Sequence, residues 1–166
     1  MVAAMAFLCV SASAQKEMLT KEETVNYLNK KLKEADGRDL ITKDGQKRRY
    51  SGLYFQIKGD ELELKYTETF GTVTVDYTTY VFNPGHISGI VPLGGYQADS
   101  PVKRLRITFP TKTPRHACCR YGATLTDIDK VDFPYFASLP DNRLRIEKAL
   151  LHLRDLAKAE EEPFGN

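Results

Sequence analysis

Between residues 53 and 136 the chain swings between apolar and polar side chains with a period of two, and no stretch in that interval carries a helical period. Leu62, Leu64 and Tyr66 alternate with Glu61, Glu63 and Lys65, Val73, Val75 and Tyr77 with Thr72, Thr74 and Asp76, and Leu105, Ile107 and Phe109 with Arg104, Arg106 and Thr108. Successive side chains of a strand point to opposite faces, so each run describes a strand with one buried and one wet face. The turn Lys58-Gly59-Asp60 joins 53–57 to 62–66 as a hairpin, and Asn83-Pro84-Gly85 breaks the run that starts at 72. Shorter runs at 86–91, 116–121 and 129–136 bring the total to six or seven strands. Strands that follow one another without a crossover helix pair antiparallel, which excludes a parallel α/β sheet.

Helical periods flank this region. Thr20 and Glu23 stand in capping-box relation, Val25, Leu28, Leu32 and Ala35 form one stripe, and Asp36-Gly37 supplies the stop, which predicts a helix over 21–35. At the other end Pro140, Asp141 and Asn142 provide start chemistry. Ile146, Ala149, Leu150, Leu153 and Ala157 then share a face that Leu144, Leu151 and Leu156 widen, and Glu160–Pro163 closes the helix. The chain is thus α+β: an N-terminal helix, an antiparallel meander of six or seven strands curled into a partly open barrel that relieves its edges, and a C-terminal amphipathic helix.

That order resembles the pleckstrin-homology-like barrel with an added N-terminal helix. Lys21-Glu22-Glu23-Thr24-Val25-Asn26-Tyr27-Leu28, Lys148-Ala149-Leu150-Leu151-His152-Leu153 and Pro163-Phe164 also look like the end segments of short secreted proteins of Bacteroidota-type bacteria. The resemblance covers the signal and the two helices and implies no activity and no functional residue.

Residues 2–10 are apolar, and Ala12-Ser13-Ala14 provides the small residues of a cleavage site before the polar sequence from Gln15. This reads as a signal peptide over 1–14 and a single domain over 15–166, secreted or periplasmic after cleavage following Ala14. No basic residue precedes the apolar run, although a signal peptide normally has a positive start, so a start upstream of Met1 is the expectation. Leu8 stands where a lipoprotein signal wants a small side chain before its cysteine and so argues against lipidation of Cys9, and no run reaches the 18 or so apolar residues of a transmembrane segment. Twenty-four basic against 22 acidic residues give a net charge of +2, too little for nucleic-acid binding by charge alone. The local cluster Lys43, Lys47, Arg48 and Arg49 around Asp44-Gly45 lacks interleaved aromatics and reads as a solvated loop or hairpin tip.

Catalytic signatures are missing: the chain has no G-x-x-x-x-G-K-[ST], no G-x-S-x-G and no H-E-x-x-H. Two pairs of the right chemistry remain. His116 and Cys118 share strand parity and make a candidate thiolate pair, and His86 with Ser88 would share a face if 86–90 were a strand. His152 reads as an edge-of-core side chain among leucines. Cys118 and Cys119 are neighbours whose direct bridge would be strained, and without C-x-x-C spacing they form no metal site, so no metal and no cofactor is expected. Glu61, Glu63 and Asp76 fall on wet strand faces, with Glu68 and Asp76 as a conceivable acid/base pair across a hairpin.

Tyrosine is the more suggestive residue. Tyr54, Tyr66, Tyr77, Tyr80, Tyr96, Tyr121 and Tyr135 all lie in or beside the strands, and tyrosine combines apolar area with a polar tip. Tyr77 and Tyr121 are the candidate ligand-binding residues. The expected function is a non-catalytic module binding an envelope protein, peptide or lipid. The alternative is a small hydrolase or thiol-dependent enzyme built on His116/Cys118 or His86/Ser88.

Overall fold

The computed structural model describes residues 19–118 and 125–162, and of residues 74–76 the backbone alone. The signal segment, its cleavage site, Cys119, Tyr121 and Pro163-Phe164 lie outside the described residues. The described chain is α+β, with α1 (Lys21–Lys33), β1 (Asp39–Ile41), β2 (Lys47–Lys58), β3 (Glu61–Phe70), β4 (Val73–Phe82), β5 (Gly89–Pro92), β6 (Val102–Thr108), β7 (Arg115–Cys118), β8 (Thr126–Asp127), β9 (Lys130–Phe136) and α2 (Asn142–Glu161).

Two antiparallel sheets take the place of the single meander expected. The larger has the order β1-β2-β3-β4-β7-β8 and the smaller β5-β6-β9. The reason is Pro84: it starts a 3-10 turn over Pro84–His86, so the chain leaves β4 without a hairpin, builds β5 and β6 elsewhere, and returns as β7 against β4. The segment 126–136 belongs to both sheets, pairing with β7 at its start and with β6 from Lys130. At the opposite edge Thr42 bridges to Tyr96 and the Ile41 amide donates to Ser100 Oγ at 2.9 Å, tying β1 to the chain between β5 and β6.

α1 begins as its capping box requires, with both reciprocal bonds made between Thr20 and Glu23. It ends two residues earlier than the stripe suggested, because the chain turns down over Ala35, which is fully buried. Gly37 takes the left-handed conformation (φ +71°) and donates to the Tyr50 carbonyl at 2.7 Å, while Asp36 accepts from the Gly52 amide at 2.8 Å. The end of α1 thus grips β2 at its bulge.

β1 covers β2 only over 47–49, so the rest of that edge needs other partners. Asn29 supplies them: its Nδ2 donates to the Phe55 carbonyl (2.9 Å) and its Oδ1 accepts from the Phe55 amide (2.6 Å). Replacing Asn29 with Ala leaves both backbone groups of a buried residue without partners, a loss of about 1–3 kcal/mol by chemical denaturation. The exposed neighbour Asn26, changed to Ala, serves as the near-neutral control.

α2 buries Ile146, Ala149, Leu150, Leu153 and Ala157, as its spacing predicts, but Leu144 is 43% exposed. Its start also differs from expectation. Asp141 adopts a left-handed φ of 60° and makes no side-chain cap, and the next residue, buried Asn142, donates to the Phe136 carbonyl at 2.6 Å. The core joins Leu28 and Leu32 of α1, Phe55, Leu62, Leu64 and Phe82 of the large sheet, Leu105, Ile107 and Phe133 of the small sheet, and Ile146, Leu150 and Leu153 of α2. Phe55 meets Phe133 edge-on at 6.0 Å, and Phe82 meets Phe109 at 5.4 Å.

Candidate functional site

Strand parity divides the tyrosines that the sequence groups together. Tyr54 and Tyr77 sit on the outer face of the large sheet, 39% and 60% exposed, whereas Tyr66 and Tyr80 are buried on its inner face. No single groove is lined by all of them.

The inner pair belongs to a row that crosses four adjacent strands. Tyr50 on β2 meets Tyr66 on β3 edge-on at 5.8 Å, Tyr66 meets Tyr80 on β4 at 6.3 Å, and Tyr80 stacks on His116 of β7 at 4.7 Å and 23°. The register explains the row: Tyr80 and His116 are direct cross-strand partners, and Cys118 follows opposite Thr78 on the same face as His116. His116 and Cys118 therefore do share a face, both half-buried.

Charged groups of the small sheet approach this row. The Tyr66 hydroxyl donates to the Asp132 carbonyl at 3.0 Å, and Arg106 binds the Asp132 carboxylate through two bonds of 2.7 and 2.8 Å. Across the seam, Arg48 binds Glu68 at 2.8 Å. Arg104 makes no ion pair among the described residues, and its Nε is buried without a hydrogen-bond partner. Its guanidinium lies beside the Tyr50 hydroxyl, close enough to favour the phenolate, yet no regular hydrogen bond joins them, and that hydroxyl too is buried without a partner.

Burial dominates the electrostatics here. It pushes the Tyr50 phenol up to about 12, helped by the Glu68 carboxylate and opposed by Arg104 and Arg48. Burial likewise raises Tyr66 well above the ordinary phenol range and raises Tyr80. The seam is graded in exposure: the side chains of Arg48 and Arg106 keep 41% and 30% of their surface, Glu68 keeps 13%, and Tyr50 at its floor keeps 1%.

The other sequence candidates are placed apart from the seam. His86 lies in the 3-10 turn, its Nε2 4.0 Å from Glu161 of α2, while Ser88 Oγ contacts Thr108 Oγ1 at 3.2 Å. The strand that would have paired them starts only at Gly89, so this candidate dyad is not assembled. Glu68 and Asp76 are register partners, but the Glu68 carboxylate is engaged by Arg48. Glu63, expected on a wet face, is 5% exposed because Lys58 and Lys65 both close over it at 2.7 Å. His152 meets the Leu19 carbonyl at 2.7 Å on the rim of a cleft of about 420 Å³ between α1 and α2. Of the residues that complete the seam, Tyr50 was not singled out by the sequence, and Arg48 and Arg104 were read only as part of a solvated basic cluster and as a wet strand position.

Among the described residues no group of three His, Cys, Asp or Glu side chains is placed to hold a metal ion, and no helix is long and apolar enough to cross a membrane. Comparison of the chain with protein-family models, with curated proteins and with solved structures found no match.

Proposed function

We propose that the mature chain, residues 15–166, is a secreted or periplasmic binding module that takes up a small envelope-derived peptide or lipid at the seam between its two sheets, which act together as a partly open barrel. The observation that carries this reading is the row of touching aromatic rings that ends at a desolvated, unpartnered hydroxyl. A buried phenol without an acceptor costs about 1–3 kcal/mol, and a ligand that bonds to it recovers that cost. Tyrosine rings offer a rigid, amphipathic lining at small entropic cost.

A second reading, a thiol-dependent enzyme, is favoured by the placement of His116 and Cys118 on one face of β7. Alkylation separates the two. Under the binding reading, Cys118 reacts slowly with iodoacetamide at neutral pH in the Cys119→Ser background, and His116→Ala leaves that rate unchanged. Fast labelling that His116→Ala abolishes, with the melting temperature unmoved, assigns the chain to the thiol enzymes instead.

A further inference from the structure

Among the described side chains, three guanidiniums and two carboxylates lie at the seam. Arg48 is neutralised by Glu68 and Arg106 by Asp132, which leaves Arg104 as the one guanidinium of the seam without a carboxylate among the described side chains. Arg104 stands on the face of β6 opposite to Leu105 and Ile107, half-buried, with the Tyr50 hydroxyl beside it. A buried charge without a counter-charge is costly, and so is each buried donor without an acceptor. Here three such donors converge: Arg104 Nε, Tyr50 Oη and Arg48 Nε.

We infer that the seam holds a monoanionic carboxylate, anchored by the Arg104 guanidinium and by a hydrogen bond from the Tyr50 hydroxyl. The charge balance selects the class. A single net positive charge matches a carboxylate, and a phosphate dianion would leave the site negative. The planar fork of arginine donates to two carboxylate oxygens side by side, and the phenol adds a third donor. Arg48 and Arg106 are the more exposed members and each is held by its own carboxylate, so the charge an anion is drawn to is that of Arg104. The aromatic row then provides the wall for the rest of the ligand. This inference rests on the seam being the binding site.

A carboxylate reaches such a site either at the C-terminus of a peptide or on a fatty acid. The test uses the mature chain and two matched pairs of probes, an acetylated Leu-Phe dipeptide as acid and as amide, and octanoate against octanol, read by thermal shift and by NMR of the tyrosine rings. The expected result is that at least one acid raises the melting temperature while its neutral partner does not, and which acid does so identifies the source. Arg104→Gln is expected to weaken that acid at least tenfold, Arg104→Lys less, and Arg106→Gln least. Tyr50→Phe supplies a readout independent of any ligand. Because the phenol has no partner in the free protein, its removal leaves the melting temperature equal or higher, and it weakens the acid. If acid and neutral probes bind equally at the inner tyrosines, the carboxylate assignment falls and the seam remains the site. If neither acid binds, or Arg104→Gln and Tyr50→Phe leave acid binding intact, the inference is wrong. A Tyr50→Phe variant that melts clearly lower contradicts the orphaned hydroxyl on which it stands.

Discussion

Leu150→Asp is expected to lower the unfolding free energy by about 3–5 kcal/mol, enough to unfold a large fraction of a marginally stable domain. Leu150 is fully buried at the centre of the α2 face, in one cluster with Leu28 and Leu32 of α1 and Phe133 of β9. The substitution removes apolar packing and brings a carboxylate where no described cation can meet it. Glu147→Ala, one turn away at a position outside the apolar core, removes the pair with Arg143 at 2.6 Å and costs about a few tenths of a kcal/mol. Denaturant midpoints for the two variants decide the matter, and equal shifts would show that α2 packs through another face.

Alkaline pH is the second strong perturbation. A phenol whose folded pKa lies above its unfolded value of about 10 holds its proton more tightly in the native state, so its stabilising contribution is complete below about pH 10 and is lost as pH rises through the folded value. For Tyr50, raised to about 12 by burial, the native state loses roughly 2–3 kcal/mol relative to the unfolded chain between about pH 10 and 12, as ionisation of the buried phenol is resisted. Tyr66 and Tyr80 shift in the same direction and deepen the loss. Unfolding in urea at a series of pH values should show stability falling steeply over this interval, with a shallower fall in Tyr50→Phe. Exposed Tyr54 and Tyr77 should ionise earlier in the absorbance at 295 nm. A wild-type curve that is flat to pH 12, or one identical to that of the Phe variant, would contradict the burial of the ring's hydroxyl.

How much of this could be read along the chain depends on whether the local pattern was left intact. α1 carried its own start signal in Thr20 and Glu23, and β3, β4 and β6 carried unbroken alternation, so all four lie close to where the residues place them. α2 declared its buried face through Ile146 to Ala157; Leu144 misleads because in the first turn Asn142 takes the buried side and Leu144 falls on the exposed one. β2 was only half legible. Gly52, at φ +64°, forms a bulge between Ser51 and Tyr54, and a bulge reverses the alternation. Tyr50 and Phe55, an odd number of residues apart, consequently both face the interior, where a regular strand would send them to opposite sides. The basic stretch 47–49 looked like loop because its side chains are wet, although its backbone pairs with β1 on one side and with β3 on the other.

The seam lay beyond local reading altogether. Its pairs Arg48 with Glu68, Arg106 with Asp132 and Tyr50 with Arg104 join residues far apart in the chain, and only the registers of β2 with β3 and of β6 with β9, together with the docking of the small sheet, bring them together. Strand parity did carry one part of it, the common face of His116 and Cys118.

The claim that the inner row of tyrosines is the binding surface is tested most directly by aromatic carbon–proton NMR of the mature protein titrated with a lipid-and-peptide extract of its host's envelope. The account predicts shifts at the rings of Tyr50, Tyr66 and Tyr80 and none at Tyr54 and Tyr77. Shifts confined to Tyr54 and Tyr77 would move the site to the outer face of the large sheet, and an unchanged spectrum would contradict a binding role for the seam.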